Sequence, residues 1–362
     1  MNNTPARTMG AAAAPAPSAP LGAVMTIARA YSKVFSESRL APLLSKPRPI
    51  RHTGFEMTLR IERRVEEADG VVSLALSAPD GRPLPGWAPG AHLDVFLPSG
   101  VQRQYSLCGN PDERHRYRIA VRRIPDGSGS VEAHDGVEEG TRITVRGPRN
   151  AFPFAPAEHT LYVAAGIGIT PILPMVRAAS SAGQSWRLVY LGRSRATMPF
   201  LEELAALPGG TVEVLPDDEA GLTPIEDILA SAPQAGAIYL CGPAPLIDAA
   251  HRAAPRIRPG CSLHTERFTP PPVAGGEPFT IRLARTAATV TVAADETALT
   301  AIRRAAPAAR YSCRQGFCGT CKVRVLSGEV DHRDHRLLEA ERADAMLPCV
   351  SRSAGGPLEI DL

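Results

Sequence analysis

Four things are missing from this 362-residue chain, and each absence narrows the class of protein. No window approaches the roughly 18 apolar residues that a membrane-spanning helix requires. The N-terminus also lacks the basic region, apolar core and cleavage site of a secretory signal, so a cytoplasmic protein is expected. Neither charge is in excess: 40 Lys and Arg stand against 37 Asp and Glu, interspersed, for a net charge of +3, which gives no reason to expect a nucleic-acid partner. Nor is there the even, dense cysteine count of a disulfide framework. The seven cysteines are an odd number and four cluster between positions 313 and 349, a distribution that suits a metal site in a reducing compartment.

What is present is a chain long enough for two or three domains, with an ordinary 44% hydrophobic and 21% charged residues and no internal repeat. Residues 1–55 read as an extension. Met1–Pro20 is Ala- and Pro-rich and too poor in large side chains to form a core, so it is expected to be disordered. Between Leu21 and Leu44, Val24, Ile27, Ala28, Tyr31, Val34 and Phe35 recur at helical spacing, which predicts an amphipathic helix that docks on the body of the protein or, as the alternative, on a partner. Over 56–155 the segments MTLRIERRV, VVSLALSA, HLDVFLPS, QRQYSLC, YRIAVRRI and TRITVRG read as six strands without a long intervening helix, hence an antiparallel barrel or sandwich. Over 156–268 short apolar strands (LYVAAG, WRLVYLG, TVEVLP, AIYLCG) alternate with helical segments, which predicts a parallel sheet covered on both faces. The Pro- and Gly-rich stretch 269–278 reads as a linker, and 279–362 as an α+β unit with a hairpin, a helix and closing strands.

The last unit carries the most specific signal. YSCRQGFCGTCKVRV sets Cys313, Cys318 and Cys321 at C-x4-C-x2-C, with Cys349 downstream, which is the plant-type 2Fe-2S spacing. Three thiolates wrapping one side of a compact anionic cluster need a loop that turns its N–H groups inward, and Gly316 and Gly319 permit this. Structural zinc also uses four cysteines, but usually as paired units at both ends, and Cys349 has no cysteine two to four residues away.

Two upstream regions offer nucleotide contacts. Arg103, Tyr105 and Ser106 can supply a phosphate partner, a ring-packing surface and a hydroxyl from one strand end, and Gly127-Ser128-Gly129-Ser130 either opens a helix toward a phosphate or is a flexible turn. The strand LYVAAG runs into Gly166, Gly168 and Thr170, with Thr170 a candidate N-cap and Pro171 a candidate first helical residue, at the sheet edge where α/β folds bind ligands. The third glycine of a GxGxxG fingerprint is absent, which leaves a simple tight turn as the competing reading. Cys241 and Gly242 repeat the strand-loop-helix form.

Taken in order, RQYSLCG, GSGS with EAHDG, GPRNAFPF, AAGIGITPIL, YLCGP and the cysteine motif resemble the phthalate dioxygenase reductase and vanillate demethylase reductase family from about Glu56 to Leu362. The resemblance implies a flavin-binding β-barrel, a nicotinamide-binding α/β domain and a C-terminal β-grasp ferredoxin domain. It assigns Arg103, Tyr105 and Ser106 to the flavin strand, Gly129 and Ser130 to the phosphate turn, and Arg149 and Asn150 to the stretch typical of members using FMN rather than FAD. It also implies that Gly166, Gly168, Thr170, Cys241 and Gly242 serve nicotinamide binding and that Phe268 lies near the flavin ring, where a linker-anchoring core Phe is the alternative. The implied activity passes hydride from NADH to flavin and single electrons through the 2Fe-2S cluster to a terminal oxygenase. A flavin is needed because nicotinamide gives two electrons together and the cluster takes one, and no catalytic side chain is required.

Arg193 and Arg195 could instead pair with the 2′-phosphate of NADPH, or form a solvated basic loop. The alternative function is a redox sensor or assembly partner without turnover. An oxygenase in its own right is disfavoured, because His332 and His335 lack an assignable carboxylate for mononuclear iron and read as a charged surface loop.

Overall fold

Alternating apolar residues build the first sheet. The structure, a computed structural model, describes residues 55–155, 157–334 and 336–362. The expected N-terminal tract and helix lie outside the described residues, as does His335. Strands β1 (Phe55–Ala68), β2 (Val71–Ser77), β3 (Ala91–Phe96), β4 (Gln102–Ser106), β5 (Arg116–Arg122) and β6 (Arg142–Asn150) form a sheet in the order β4-β3-β6-β1-β2-β5. Every neighbouring pair is antiparallel, and a bridge between Leu107 and Ile119 joins the two ends into a barrel. Leu59 and Ile61, Leu74 and Leu76, and Leu93 and Val95 are two residues apart on their strands and point into one core, as the period of a strand dictates. Helix α1 (Ser128–Asp135) is inserted before β6, so the Gly-Ser segment opens a helix and not a flexible turn.

The second sheet is parallel, with order β11-β10-β7-β8-β9. Its elements run β7 (His159–Ala165), α2 (Ile169–Ser181), β8 (Ser185–Gly192), α3 (Leu201–Ala205), β9 (Gly210–Pro216), α4 (Ile225–Ala230), β10 (Gly236–Cys241), α5 (Ala244–Ile257) and β11 (Cys261–Glu266). Both faces of β7 are buried: Tyr162 and Ala164 pack with residues of α2, whereas Leu161 and Val163 pack with residues of α4 and α5. Strand β11 is a parallel edge strand that the sequence pattern did not flag.

The third sheet contains β12 (Phe279–Leu283), β13 (Thr289–Val292), β14 (Val323–Asp331), β15 (Ala345–Met346) and β16 (Arg352–Ile360) in the order β13-β12-β16-β14-β15, with β12 and β16 parallel. Helix α6 (Ala298–Ala305) is capped by Thr297, whose hydroxyl accepts from the Thr300 N–H at 3.2 Å, and buries Ala298, Ala301 and Ile302 in the core of this unit. The cysteine loop crosses between α6 and β14 without regular structure.

Candidate functional site

The cysteine loop is shaped by three consecutive departures into left-handed backbone, at Arg314 (φ 59°), Gly316 (φ 80°) and Gly319 (φ 73°). At Gly316 a Cβ would also meet Val350 Cγ2 at 2.8 Å, so glycine is required there twice over. These turns aim amides at sulfur: the Gln315 N–H donates to Cys313 Sγ at 3.3 Å and the Thr320 N–H to Cys318 Sγ at 3.5 Å. The Gly316 amide lies where it lowers the proton affinity of Cys349. Cys313, Cys321 and Cys349 are buried and Cys318 is half-buried.

The four thiols lie near enough to perturb one another in a chain, Cys318 with Cys313, Cys313 with Cys349 and Cys349 with Cys321. The Cys313 thiol, and then burial, push the Cys318 thiol well above its ordinary range, a proton affinity that cationic iron would abolish. Four neighbouring thiols with amides turned toward them, at the C-x4-C-x2-C spacing with a distant fourth cysteine, fit the demand of a plant-type 2Fe-2S cluster.

Strand β4 approaches this loop from the barrel. Its residues alternate, so Arg103 and Tyr105 share one face and Gln102 and Gln104 the other. Arg103 Nη2 donates to Ser128 Oγ at 3.1 Å, and its side chain lies so close to Gly129 that a Cβ there would stand 2.8 Å from Arg103 Cγ. The Ser130 hydroxyl is spent inside its own turn, accepting from the Ile124 N–H at 3.0 Å and donating to the Gly127 carbonyl at 3.0 Å. What that turn leaves for an anion is the backbone N–H groups of the first turn of α1. Burial pushes the Tyr105 phenol up to about 12, against the lowering effect of Arg103. On the opposite face, Gln102 Nε2 donates to the Tyr311 carbonyl at 3.1 Å and Gln104 Nε2 to Ser312 Oγ at 2.8 Å, both directly before Cys313.

Arg149 reaches the same place. It pairs with Asp94 and donates to Ser312 Oγ at 2.9 Å, and Asp94 is 1% exposed. The neighbouring Asn150 is occupied with its own chain, donating to the Pro89 carbonyl at 2.8 Å and accepting from the Phe152 N–H at 3.0 Å. Burial pushes His92, beside this group, down to about 4, so its imidazole is neutral at physiological pH.

At the carboxyl edge of the parallel sheet, two loops meet backbone to backbone. A Cβ on Gly168 would lie 2.3 Å from the Cys241 carbonyl oxygen, and one on Gly242 would lie 3.0 Å from Ala165 Cβ. Gly166 has φ 52° and starts a 3-10 turn that delivers the chain into α2 two residues earlier than expected. Thr170 is therefore inside the helix and not its cap, and its hydroxyl donates to the Ile167 carbonyl at 3.0 Å.

Glu266 is a residue that sequence reasoning missed. It ends β11 in register with Cys241, and its Oε2 stands 3.4 Å from the Ser106 hydroxyl. Burial pushes its carboxyl up to about 8, the Ser106 hydrogen bond acting in the opposite direction. Perturbed carboxyls at domain junctions mark functional sites, and recognising β11 as a strand would have placed this one at the ligand-binding edge. Phe268, two residues on, is 45% exposed, which removes the core-anchor reading for it. Arg195 Nε is paired with Glu219 at 2.8 Å. His332 is not the surface residue expected: its side chain is 14% exposed, it lies 3.6 Å from Asp334, and its Nε2 is 3.2 Å from the Arg342 carbonyl.

Comparison with known proteins agrees with this geometry. Residues 281–354 match the 2Fe-2S iron-sulfur cluster binding domain family. The reductase subunit of the toluene-4-sulfonate monooxygenase system of Comamonas testosteroni is 39% identical over 305 residues, covering 82% of this chain and 95% of the relative. The solved structure of phthalate dioxygenase reductase, described as a modular structure for electron transfer from pyridine nucleotides to [2Fe-2S], superposes with a TM-score of 0.64 at 35% identity, covering 85% of this chain and 98% of that one. The chain also matches an intact type IV self-sufficient cytochrome P450 monooxygenase (TM-score 0.68, 36% identity, 89% of this chain), but spans only 44% of that longer protein. A flavin-type barrel, a parallel nucleotide-binding sheet and a cysteine-bearing β-grasp unit together define an iron-sulfur oxidoreductase of the electron-transfer kind. The chain belongs to the phthalate dioxygenase reductase family.

Proposed function

We propose that this protein takes hydride from NADH onto FMN and passes single electrons through a 2Fe-2S cluster to a terminal oxygenase of the Rieske type. The observation that carries the reading is β4 itself, which presents Arg103 and Tyr105 on one face and fastens the loop before Cys313 with the other. A two-electron carrier and a one-electron carrier held by one strand are coupled without a diffusing intermediary.

In this reading Cys313, Cys318, Cys321 and Cys349 hold the iron. Arg103 and the first turn of α1, at Gly129 and Ser130, receive the flavin phosphate, where helix N–H groups and a guanidinium reinforce one another. Tyr105, Ser106, Arg149, Asn150 and the exposed Phe268 border the ring, and its chemistry is the exchange of two electrons for one. Gly166, Gly168, Thr170, Cys241 and Gly242 form the nicotinamide side. NADH is favoured over NADPH because Arg195 is already neutralised by Glu219. The working domain limits are 56–155, 156–268 and 279–362, with 269–278 as linker, supported by three sheets that share no strand. The three cysteines outside the cluster set, Cys108, Cys241 and Cys261, are free thiols, which accords with a reducing, cytoplasmic setting.

Purified protein is expected to show flavin bands together with broad visible absorption from iron and sulfide, and to reduce cytochrome c with NADH. Cys318→Ala is expected to lose the broad absorption and the cytochrome c activity while keeping NADH-ferricyanide turnover through the flavin. Undiminished cytochrome c reduction by that variant would take the cluster out of the path.

A further inference from the structure

Ser312 is a small polar residue beside the first cluster cysteine, and three groups from three barrel strands converge on it. Its hydroxyl donates to Asp94 Oδ1 at 2.8 Å and accepts from Gln104 Nε2 at 2.8 Å and Arg149 Nη1 at 2.9 Å. Gln104 also donates to Asp94 Oδ1 at 2.9 Å, and Arg149 pairs with the other oxygen of the same carboxylate. Ser312 is 4% exposed and Asp94 is 1% exposed, so the cluster of contacts is dry.

We propose that Ser312 is a positioning residue for electron transfer: the Asp94–Gln104–Arg149 group of the barrel grips its hydroxyl and sets the cluster loop in register with the flavin strand. The proposal rests on the cofactor reading given above. Three features favour registration over general adhesion. First, the three bonds are short and directional, two of them are charge-assisted, and all terminate on one oxygen, so they define a position and not merely a contact. Second, Asp94 is buried and Arg149 half-buried, and each of them bonds the Ser312 hydroxyl across the domain boundary. Losing the Ser312 hydroxyl leaves buried polar groups under-satisfied, which drives the loop or the strand to shift. Third, the gripped residue is bonded through the backbone to Cys313, so any displacement of the hydroxyl is passed to the first thiolate within one peptide unit.

The latch predicts a split between two half-reactions. In Ser312→Ala, flavin reduction by NADH and NADH-ferricyanide turnover are expected at the wild-type rate. Cluster reduction, followed at the visible iron-sulfur band by stopped flow, is expected to slow by about tenfold, within the loss that misplacement near 1 Å brings to a positioned reaction. Amide hydrogen exchange across residues 310–316 is expected to quicken, independently of turnover. Ser312→Thr keeps the hydroxyl and should restore both, and Gln104→Ala, which alters the barrel side alone, should reproduce the Ala phenotype more weakly. Wild-type rates of cluster reduction in both Ser312→Ala and Gln104→Ala, with cluster and flavin contents intact, would overturn the latch. Absence of cluster absorption or of flavin in the wild-type protein would overturn the cofactor reading instead.

Discussion

Gly168 has no space for a side chain on the side facing Cys241: a Cβ built there stands 2.3 Å from the Cys241 carbonyl oxygen and 2.7 Å from its carbon. The obstacle is backbone at the end of a central strand, so neither partner can step aside as a flexible side chain would. Gly168→Ala is therefore expected to cost about 1–3 kcal/mol of stability, the usual price of overpacking, measurable as a lower urea midpoint. Because the two loops also frame the proposed nicotinamide site, KM for NADH should rise. An unchanged urea midpoint would mean that the two loops are not packed as closely as described.

Glu266 gives a pH dependence with a definite sign. Its folded carboxyl is raised from 4.5 to about 8, chiefly by burial, so the fold prefers the protonated form. The stability tied to that proton is fully present below pH 4.5 and is lost as pH rises through about 8. Wild-type protein should lose thermal stability over this interval. Glu266→Gln, which carries a neutral amide at every pH, should lose less. Parallel Tm-against-pH curves for the two proteins would show that Glu266 is ionised at neutral pH.

The pairing of Arg195 with Glu219 bears on coenzyme choice. Both side chains are about half exposed, at 52% and 50%, and the ion pair leaves little positive charge for a 2′-phosphate. Glu219→Gln releases the guanidinium, and the ratio of kcat/KM for NADPH to that for NADH should rise about fivefold, which is what an exposed charge contact near 1 kcal/mol supplies. If the ratio stays constant, Arg195 lies away from the ribose phosphate.

The parallel sheet was legible because strands buried on both faces are near-continuous apolar runs, as LYVAAG is, and their pattern survives without knowledge of neighbours. Strand β11 was not, because CSLHTE is an edge strand whose polar residues are half-buried or exposed and leave no periodic trace. Helix α1 was ambiguous for a related reason: GSGSVEAHD buries only Gly129, Ser130 and Ala133, so composition favoured a turn and packing decided for a helix. The cysteine motif was legible in full because its spacing is local. Gln102, Gln104, Asp94 and Ser312 were not, since their significance lies in contacts between positions more than 200 residues apart along the chain (|i−j| of 208 to 218). Glu266 was hidden in the same way, because its unusual proton affinity arises only when β11 is laid against β10.

The segment between the second and third sheets is held as well as tied. Arg333 Nη1 donates to the Ala274 carbonyl at 2.6 Å, and Arg352 Nη2 donates to the Glu277 carbonyl at 2.9 Å, so the third unit clasps the end of its own tether. A clasped tether keeps the local concentration of one centre near the other high and constant, whatever the protein concentration in solution. Dilution should then leave the internal hand-off untouched and slow only the collision that delivers the electron outward.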